Sequence, residues 1–302
     1  MATPSAALAC IVLAHEDPVH VRRLIESLDP FPVFLHCDAR TSKSVFGAMT
    51  DGLPDRVRLL PRIRTGWAKW ENVEAEVSGY RAALADTDAS HVAVLTGSDY
   101  PLANATEIAA LLAAHREESF VAVHPLPYEA WGRDGGRARL RFPHWAWRKH
   151  MVRLPIPRRL PRGIVPAGGS QLKVLARHHA ASVVDAVDRR PDLVRFWRRT
   201  WIADETFVPT VLQSPALTPG FAEQHVPHAL WWIGWDGSAM KSPPWLTTAD
   251  AGRLLERRTF PGGLPHVFAR KFSTEQSSDL LDVVDGAFEL RRSTGAPREV
   301  TA

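Results

Sequence analysis

The residues best equipped for chemistry stand together in Trp201-Ile202-Ala203-Asp204-Glu205-Thr206-Phe207-Val208-Pro209, where two adjacent carboxylates open a short apolar turn. Glu205 in such a place can serve as a general base, accepting a proton from an attacking hydroxyl. The same pair also suits a helix start, where an acidic side chain caps free backbone N–H groups and complements the helix dipole. Both readings are open on these residues alone.

Several other chemistries lack their motifs. Neither a dinucleotide-type glycine loop nor a P-loop is present, and the G-x-S-x-G elbow that would support a serine nucleophile is missing. The adjacent His178 and His179 cannot both face one zinc ion from a helix. What remains is carboxylate-and-cation chemistry. Asp86-Thr87-Asp88 has the D-x-D form with which many sugar-nucleotide enzymes hold Mn²⁺ or Mg²⁺, but it precedes a strand and reads as a surface turn. Gly97-Ser98-Asp99 follows that strand with a single carboxylate, thin support for a hard divalent cation, so no metal site is expected. Lys241 and the pair Arg270-Lys271 come late in the chain. Fixed cations can neutralise a leaving diphosphate in place of a metal, although each also reads as an ordinary surface base.

The elements that must position these groups follow an α/β pattern. Ala7 to Ala14 is a continuous apolar run, as expected of a strand buried on both faces. Asp17-Pro18 starts a helix with Val21, Leu24, Ile25 and Leu28 on one face, and Pro32 to His36 makes a second strand. Strand, helix and strand in this order form a βαβ unit, which implies a parallel sheet. Leu59 to Ile63 reads as a third strand, and a helix marked by Val73, Val77, Tyr80 and Leu84 precedes the strand His91 to Thr96. That strand runs into Gly97-Ser98-Asp99-Tyr100-Pro101-Leu102 at its carboxyl end, where open α/β sheets bind ligands. A helix from Thr106 to His115 and a strand Phe120 to Val123 continue the alternation. Residues 125–169 then lose periodicity, His225 to Trp235 reads as one strand ending in aromatics, and Glu275 to Leu290 reads as a final helix.

Composition bounds the class. The chain has 302 residues, 45% hydrophobic and 23% charged, with a net charge of +4, too small to mark a nucleic-acid binder. The charge is uneven: Arg133 to Arg162 carries ten Lys and Arg against one acid, Asp134, which favours an anionic ligand or a solvated arginine-rich loop. Cys10 and Cys37 each lie in an apolar run and read as buried free thiols of a reducing compartment. The start lacks the positive charge of a signal peptide, and no run reaches the roughly 20 apolar residues of a membrane span. The expected setting is cytoplasmic, with the basic segment able to touch a membrane surface. One domain over 1–290 is expected, with a nucleotide-sugar-binding half over about 7–124, an acceptor and catalytic half over about 125–290, and a mobile tail at 291–302.

Taken in order, these stretches resemble the core-2/I-branching family of β-1,6-N-acetylglucosaminyltransferases, which also holds the peptide xylosyltransferases. The resemblance runs through Ile11-Val12-Leu13-Ala14-His15, Phe34-Leu35-His36-Cys37-Asp38, Gly66-Trp67-Ala68 and Val73-Glu74-Ala75. It continues through Leu95-Thr96-Gly97-Ser98-Asp99-Tyr100-Pro101-Leu102, Gly169-Ser170-Gln171, Ala203-Asp204-Glu205 and Phe268-Ala269-Arg270-Lys271-Phe272, covering roughly residues 8–275.

The resemblance implies a GT-A-like α/β single domain with a Rossmann-like, mostly parallel central sheet flanked by helices. It implies an inverting transferase that moves a sugar, GlcNAc first among the candidates, from a UDP-sugar to a glycan or other hydroxyl acceptor without a metal or other cofactor. Glu205 matches the family's catalytic base and Lys271 its diphosphate-binding lysine, with Arg270 and Lys241 as further cations. His15, Asp38, Arg40, Trp67, Ser98 and Asp99 fall to the nucleotide and donor site, and Trp231, Trp232 and Asp204 to the acceptor. Animal members carry a membrane anchor and many disulfides, features not found in this sequence, which points to a bacterial or otherwise cytosolic setting. Two alternatives stay open: a UDP-xylose-dependent xylosyltransferase, and a polyanion or single-stranded nucleic-acid binding module using residues 131–162 with their arginines and tryptophans.

Overall fold

The computed structural model describes residues 7–147, 150–235, 237, 242–256 and 263–290. Lys241 and the tail 291–302 lie outside the described residues. The run Leu8–Ala14 forms β1, whose side chains alternate between two cores: Leu8, Cys10, Val12 and Ala14 join one cluster, Ala9 and Ile11 the other. Covering both faces of a strand demands this uninterrupted apolarity. Asp17 caps α1 (Pro18–Ser27) by accepting the His20 N–H at 3.1 Å, and Pro18 occupies the first turn, where its missing N–H is not needed. β2 (Val33–Cys37), α2 (Lys43–Thr50) and β3 (Val57–Leu59) follow, each strand adding in parallel beside the last.

α3 (Trp70–Asp86) then crosses β1 at close range. A Cβ on Gly79 would stand 2.6 Å from the Ile11 side chain, so only glycine permits that approach. β4 (His91–Thr96) pairs in parallel with β1 on its free side, and β5 (Asp99–Pro101) turns away into a second sheet. Next come α4 (Ala105–Ala114), β6 (Ser119–Phe120) and β7 (Val123–Pro125). The stretch expected to lack elements contains α5 (Arg137–Arg141), a hairpin of β8 (His144–Trp147) and β9 (His150–Arg153), and β10 (Ala167–Gly169), which pairs with β7. β11 (Lys173–Ala176) enters the main sheet antiparallel to β4.

The chain ends with α6 (Arg177–Arg189), α7 (Pro191–Trp197), α8 (Phe207–Gln213), β12 (His225–Val226), β13 (Trp231–Ile233), α9 (Ala251–Glu256), β14 (Phe268–Arg270) and α10 (Thr274–Ala287). Among the described residues the main sheet has seven strands in the order β12-β6-β11-β4-β1-β2-β3 and is mostly parallel, so the expected α/β class is observed. One core cluster joins the sheet to α1, β13, β14 and α10; the other joins it to α3, α6 and α8. The single strand expected over His225 to Trp235 is instead two, β12 in the main sheet and β13 beside β14. Pro227 lies between them and cannot donate to a ladder, so the strand stops there.

Candidate active site

A cleft of ≈ 780 Å³ lies at the carboxyl ends of β1, β2 and β4, where Ala14, His15, His36, Thr96 and Ser98 line it. This is the end at which open parallel sheets bind ligands. A larger cavity of ≈ 1220 Å³ sits at the opposite end of the strands and takes in Asp86, Thr87 and Asp88. The D-x-D segment therefore stands far from the cleft, and Asp86 is engaged by Arg58.

Glu205 reaches the cleft from the turn Ala203–Glu205, which leads into α8. The turn is preceded by Ile202 in the left-handed region (φ 54°), and Ala68 facing it has the same hand (φ 63°). Such a backbone costs roughly 1–3 kcal/mol at a non-glycine residue and persists only where its surroundings hold it. Here the Ile202 N–H donates to the Ala68 carbonyl at 3.1 Å, tying the two turns together. Behind them the buried Trp197 donates to the Thr206 hydroxyl at 3.0 Å, and its ring packs edge-on against Phe207. The two turns thus present Trp67 and Glu205 to one cleft.

Arg139, from α5, donates to Glu205 Oε2 at 2.7 Å, and its guanidinium lies 3.9 Å from the centre of the Trp131 ring. Asp204 lines the cleft too but is only 9% exposed. Burial first, then the charge of Glu205, push its carboxyl up to about 7, and its Oδ1 has no hydrogen-bond partner. A wholly buried set packs nearby: Lys173 Nζ and the Tyr80 hydroxyl both donate to Glu76 Oε1, at 2.8 and 2.7 Å. Two carboxylates beside one buried lysine leave an unbalanced negative charge, which favours a neutral Asp204.

Another wall of the cleft is built around Arg270. Its Nη1 donates to Asp99 Oδ1 at 3.1 Å and to the Thr96 hydroxyl, and Asp99 Oδ2 accepts the Thr96 N–H at 2.6 Å. Asp99 was expected to line the cleft; it is fully buried instead and acts by holding Arg270, which does line it. On β5 it stands directly opposite Arg270 of β14, so its carboxylate meets that guanidinium and the Thr96 N–H. Asp38 is likewise buried, with Arg40 and the Thr65 hydroxyl hydrogen-bonded to it. Burial alone would raise its carboxyl, but these donors outweigh it and hold it down at about 2. Asp38 therefore positions Arg40 and Thr65, which line the cleft. His36 accepts the Ile63 N–H at 3.0 Å, and its burial lowers its basicity, so it is a neutral imidazole at the cleft floor.

His15, Ser98 and Trp67 line the cleft, with Trp67 61% exposed. Lys271 stands just behind the wall: its Nζ is 3.8 Å from the Trp245 ring and 3.4 Å from the hydroxyl of Ser242, a cleft residue. Burial, then the charge of Arg270, lower its pKa. Trp231 and Trp232, expected at the acceptor, do not line the cleft. They are 4% and 6% exposed, packed in the core with Leu230 and Phe268, because β13 closes over the end of that core. Of the three tryptophans of that stretch, Trp235 lines the cleft, 50% exposed, together with Trp67 and Trp201.

The basic segment is partly consumed internally. Arg158 donates to the Leu140 and Phe196 carbonyls and to Thr200, while Trp145 lies under Arg199 and Trp131 under Arg139. Sequence reasoning passed over Arg139, one of many arginines in that run, and Thr65; neither carries a local signal. Among the described residues no group of three or more His, Cys, Asp and Glu is placed to hold a metal ion, and no helix is long and apolar enough to cross a membrane. Cys10 and Cys37 are buried and free, as expected.

The family model described as Core-2/I-Branching enzyme matches residues 23–253. Xylosyltransferase 2 from Rattus norvegicus is 26% identical over 207 residues, 63% of this chain and 22% of that protein, and the Homo sapiens protein gives the same figures. The chain thus spans about a fifth of the length of these curated relatives. A similar solved structure, HddC from Yersinia pseudotuberculosis, is 10% identical, with 57% of this chain and 78% of that chain covered at a TM-score of 0.28.

Proposed function

The chain belongs to the core-2/I-branching enzyme family, whose members are glycosyltransferases, and on that premise we propose that it transfers a sugar from a UDP-sugar to an acceptor hydroxyl with inversion at the anomeric carbon. The observation that carries this reading is that Glu205 and Arg270 face a single cleft at the carboxyl ends of parallel strands. Glu205 accepts the acceptor's proton as its oxygen bonds to the anomeric carbon. The bond to the diphosphate breaks on the opposite face, and UDP leaves with the electron pair. Arg270, held by Asp99, and Lys271 behind it supply positive charge where that negative charge develops, without a metal. The proton moves late, once the attacking oxygen has become acidic, which lets a carboxylate take it.

GlcNAc is the first donor to test. The match to xylosyltransferase 2 makes UDP-xylose the second. The test is UDP release from a panel of UDP-sugars in the presence of EDTA. Release from one donor that survives chelation supports the reading. Release that requires a divalent cation overturns metal independence, and failure of any UDP-sugar to bind overturns the transferase assignment.

A further inference from the structure

A second concave site of ≈ 570 Å³ borders α5 on the side away from Glu205, lined by Arg133, Arg137, Arg141 and Arg153 with Glu129 and Asp134. Arg137 and Arg141, four residues apart, share one face of the helix, while Arg139 between them turns to the catalytic cleft. Among the described residues none of these four arginines pairs with a carboxylate; Arg141 and Arg153 rest near the Phe142 ring. The Asp134 carboxylate is already occupied, accepting the N–H groups of Gly136 at 3.1 Å and Ala138 at 2.8 Å.

The loop that carries these groups is built rather than loose. Gly136 takes φ +82°, and a Cβ there would stand 2.5 Å from Trp131, so glycine lets that ring pack flat under Arg139. One small helix therefore joins the base to an arginine-lined site. Four guanidinium groups against two carboxylates leave two positive charges, which a phosphate monoester of about −1.5 to −2 charge neutralises. Planar guanidinium forks match its oxygens in pairs.

We propose that this site is an acceptor subsite that binds a phosphate monoester carried by the acceptor glycan, at a part of the glycan that lies across α5 from the hydroxyl that receives the sugar. It rests on the transferase reading given above. Binding there sets which hydroxyl approaches Glu205, through α5.

The test is calorimetric titration of glucose 6-phosphate into the wild type and into Arg137→Gln/Arg141→Gln, with and without saturating UDP. Both arginines are exposed, and equal melting temperatures establish that the variant is folded. The expected result is binding to the wild type in both conditions, at least tenfold weaker in the variant, with UDP affinity unchanged. Unphosphorylated glucose is expected to bind at least tenfold more weakly than its phosphate. Equal affinity in both proteins, no binding to the wild type, or glucuronate binding as tightly as the phosphate overturns the proposal. Loss of UDP binding in the wild type counts against the transferase reading alone, since the titration without UDP still reports on the subsite.

Discussion

Arg139 Nη1 donates to Glu205 Oε2 across 2.7 Å, bringing together residues 66 positions apart. The guanidinium is fixed in turn by the Trp131 ring, so the carboxylate is aimed into the cleft before any substrate arrives. Replacing Arg139 with Gln is expected to lower kcat roughly tenfold or more while UDP affinity stays within about twofold. Arg139→Lys keeps the charge but loses the planar stacking, and an intermediate rate is expected. Steady-state kinetics with the best donor checks this; an unchanged kcat in Arg139→Gln would remove Arg139 from the site.

Asp99 is expected to matter for both folding and donor binding. Its loss in Asp99→Ala strands the Arg270 guanidinium and the Thr96 N–H, and breaking such a buried pair costs about 3–5 kcal/mol. Asp99→Asn keeps an acceptor for Thr96 and is expected to be more stable than Asp99→Ala, yet to bind UDP about tenfold more weakly than the wild type. Denaturant unfolding and calorimetry separate the two effects. Wild-type UDP affinity in both variants contradicts the idea that Asp99 holds Arg270 for the diphosphate.

Asp204 gives a pH prediction. Burial and the Glu205 charge raise its pKa from 3.8 to about 7, so the folded state binds its proton more tightly than the unfolded chain does. The resulting stability is fully present below about pH 3.8 and is lost as the pH rises through about 7. Asp204→Asn mimics the neutral carboxyl at every pH. Its stability relative to wild type is therefore expected to improve between pH 4 and 8, by an amount on the order of a few kcal/mol. Melting curves of both proteins across that range check it, and parallel pH dependence is the contrary outcome.

The tryptophans are expected to divide by role. Trp232→Ala removes a buried ring and is expected to cost about 3–5 kcal/mol of stability. Trp235→Ala removes an exposed ring from the cleft wall and is expected to leave stability within about 0.5 kcal/mol while raising the acceptor KM. Unchanged acceptor kinetics in Trp235→Ala would contradict an acceptor face there.

Much of this was legible in the chain itself, and the failures have physical causes. β1 shows as an unbroken apolar run, and β4 as an apolar stretch between His91 and Thr96, because both of their faces are covered, and the cleft lies at their carboxyl ends. Glu205, Arg270 and Trp67, singled out from their motifs, all line that cleft. Trp231, Trp232 and Trp235 are indistinguishable by type, and only the closure of β13 over the core decides which ring is wet. Asp99 and Asp38 sit in motifs that touch the cleft, but their carboxylates turn inward to hold Arg270 and Arg40, a distinction that spacing does not encode. Arg139 was hidden among ten basic residues, because what singles it out is a tertiary contact. The elements of the 125–169 stretch are short and held by packing between rings and arginines, which leaves no helical or strand period to read.

The central claim is that Glu205 is the general base, and the most direct measurement compares Glu205→Gln with wild type for UDP-sugar binding and for transfer. Glutamine keeps the shape of the side chain and removes its ability to take the proton. Donor affinity is expected to be unchanged while turnover falls by roughly 10² or more. Near-normal transfer by Glu205→Gln would contradict the account and send the search for the base elsewhere in the cleft.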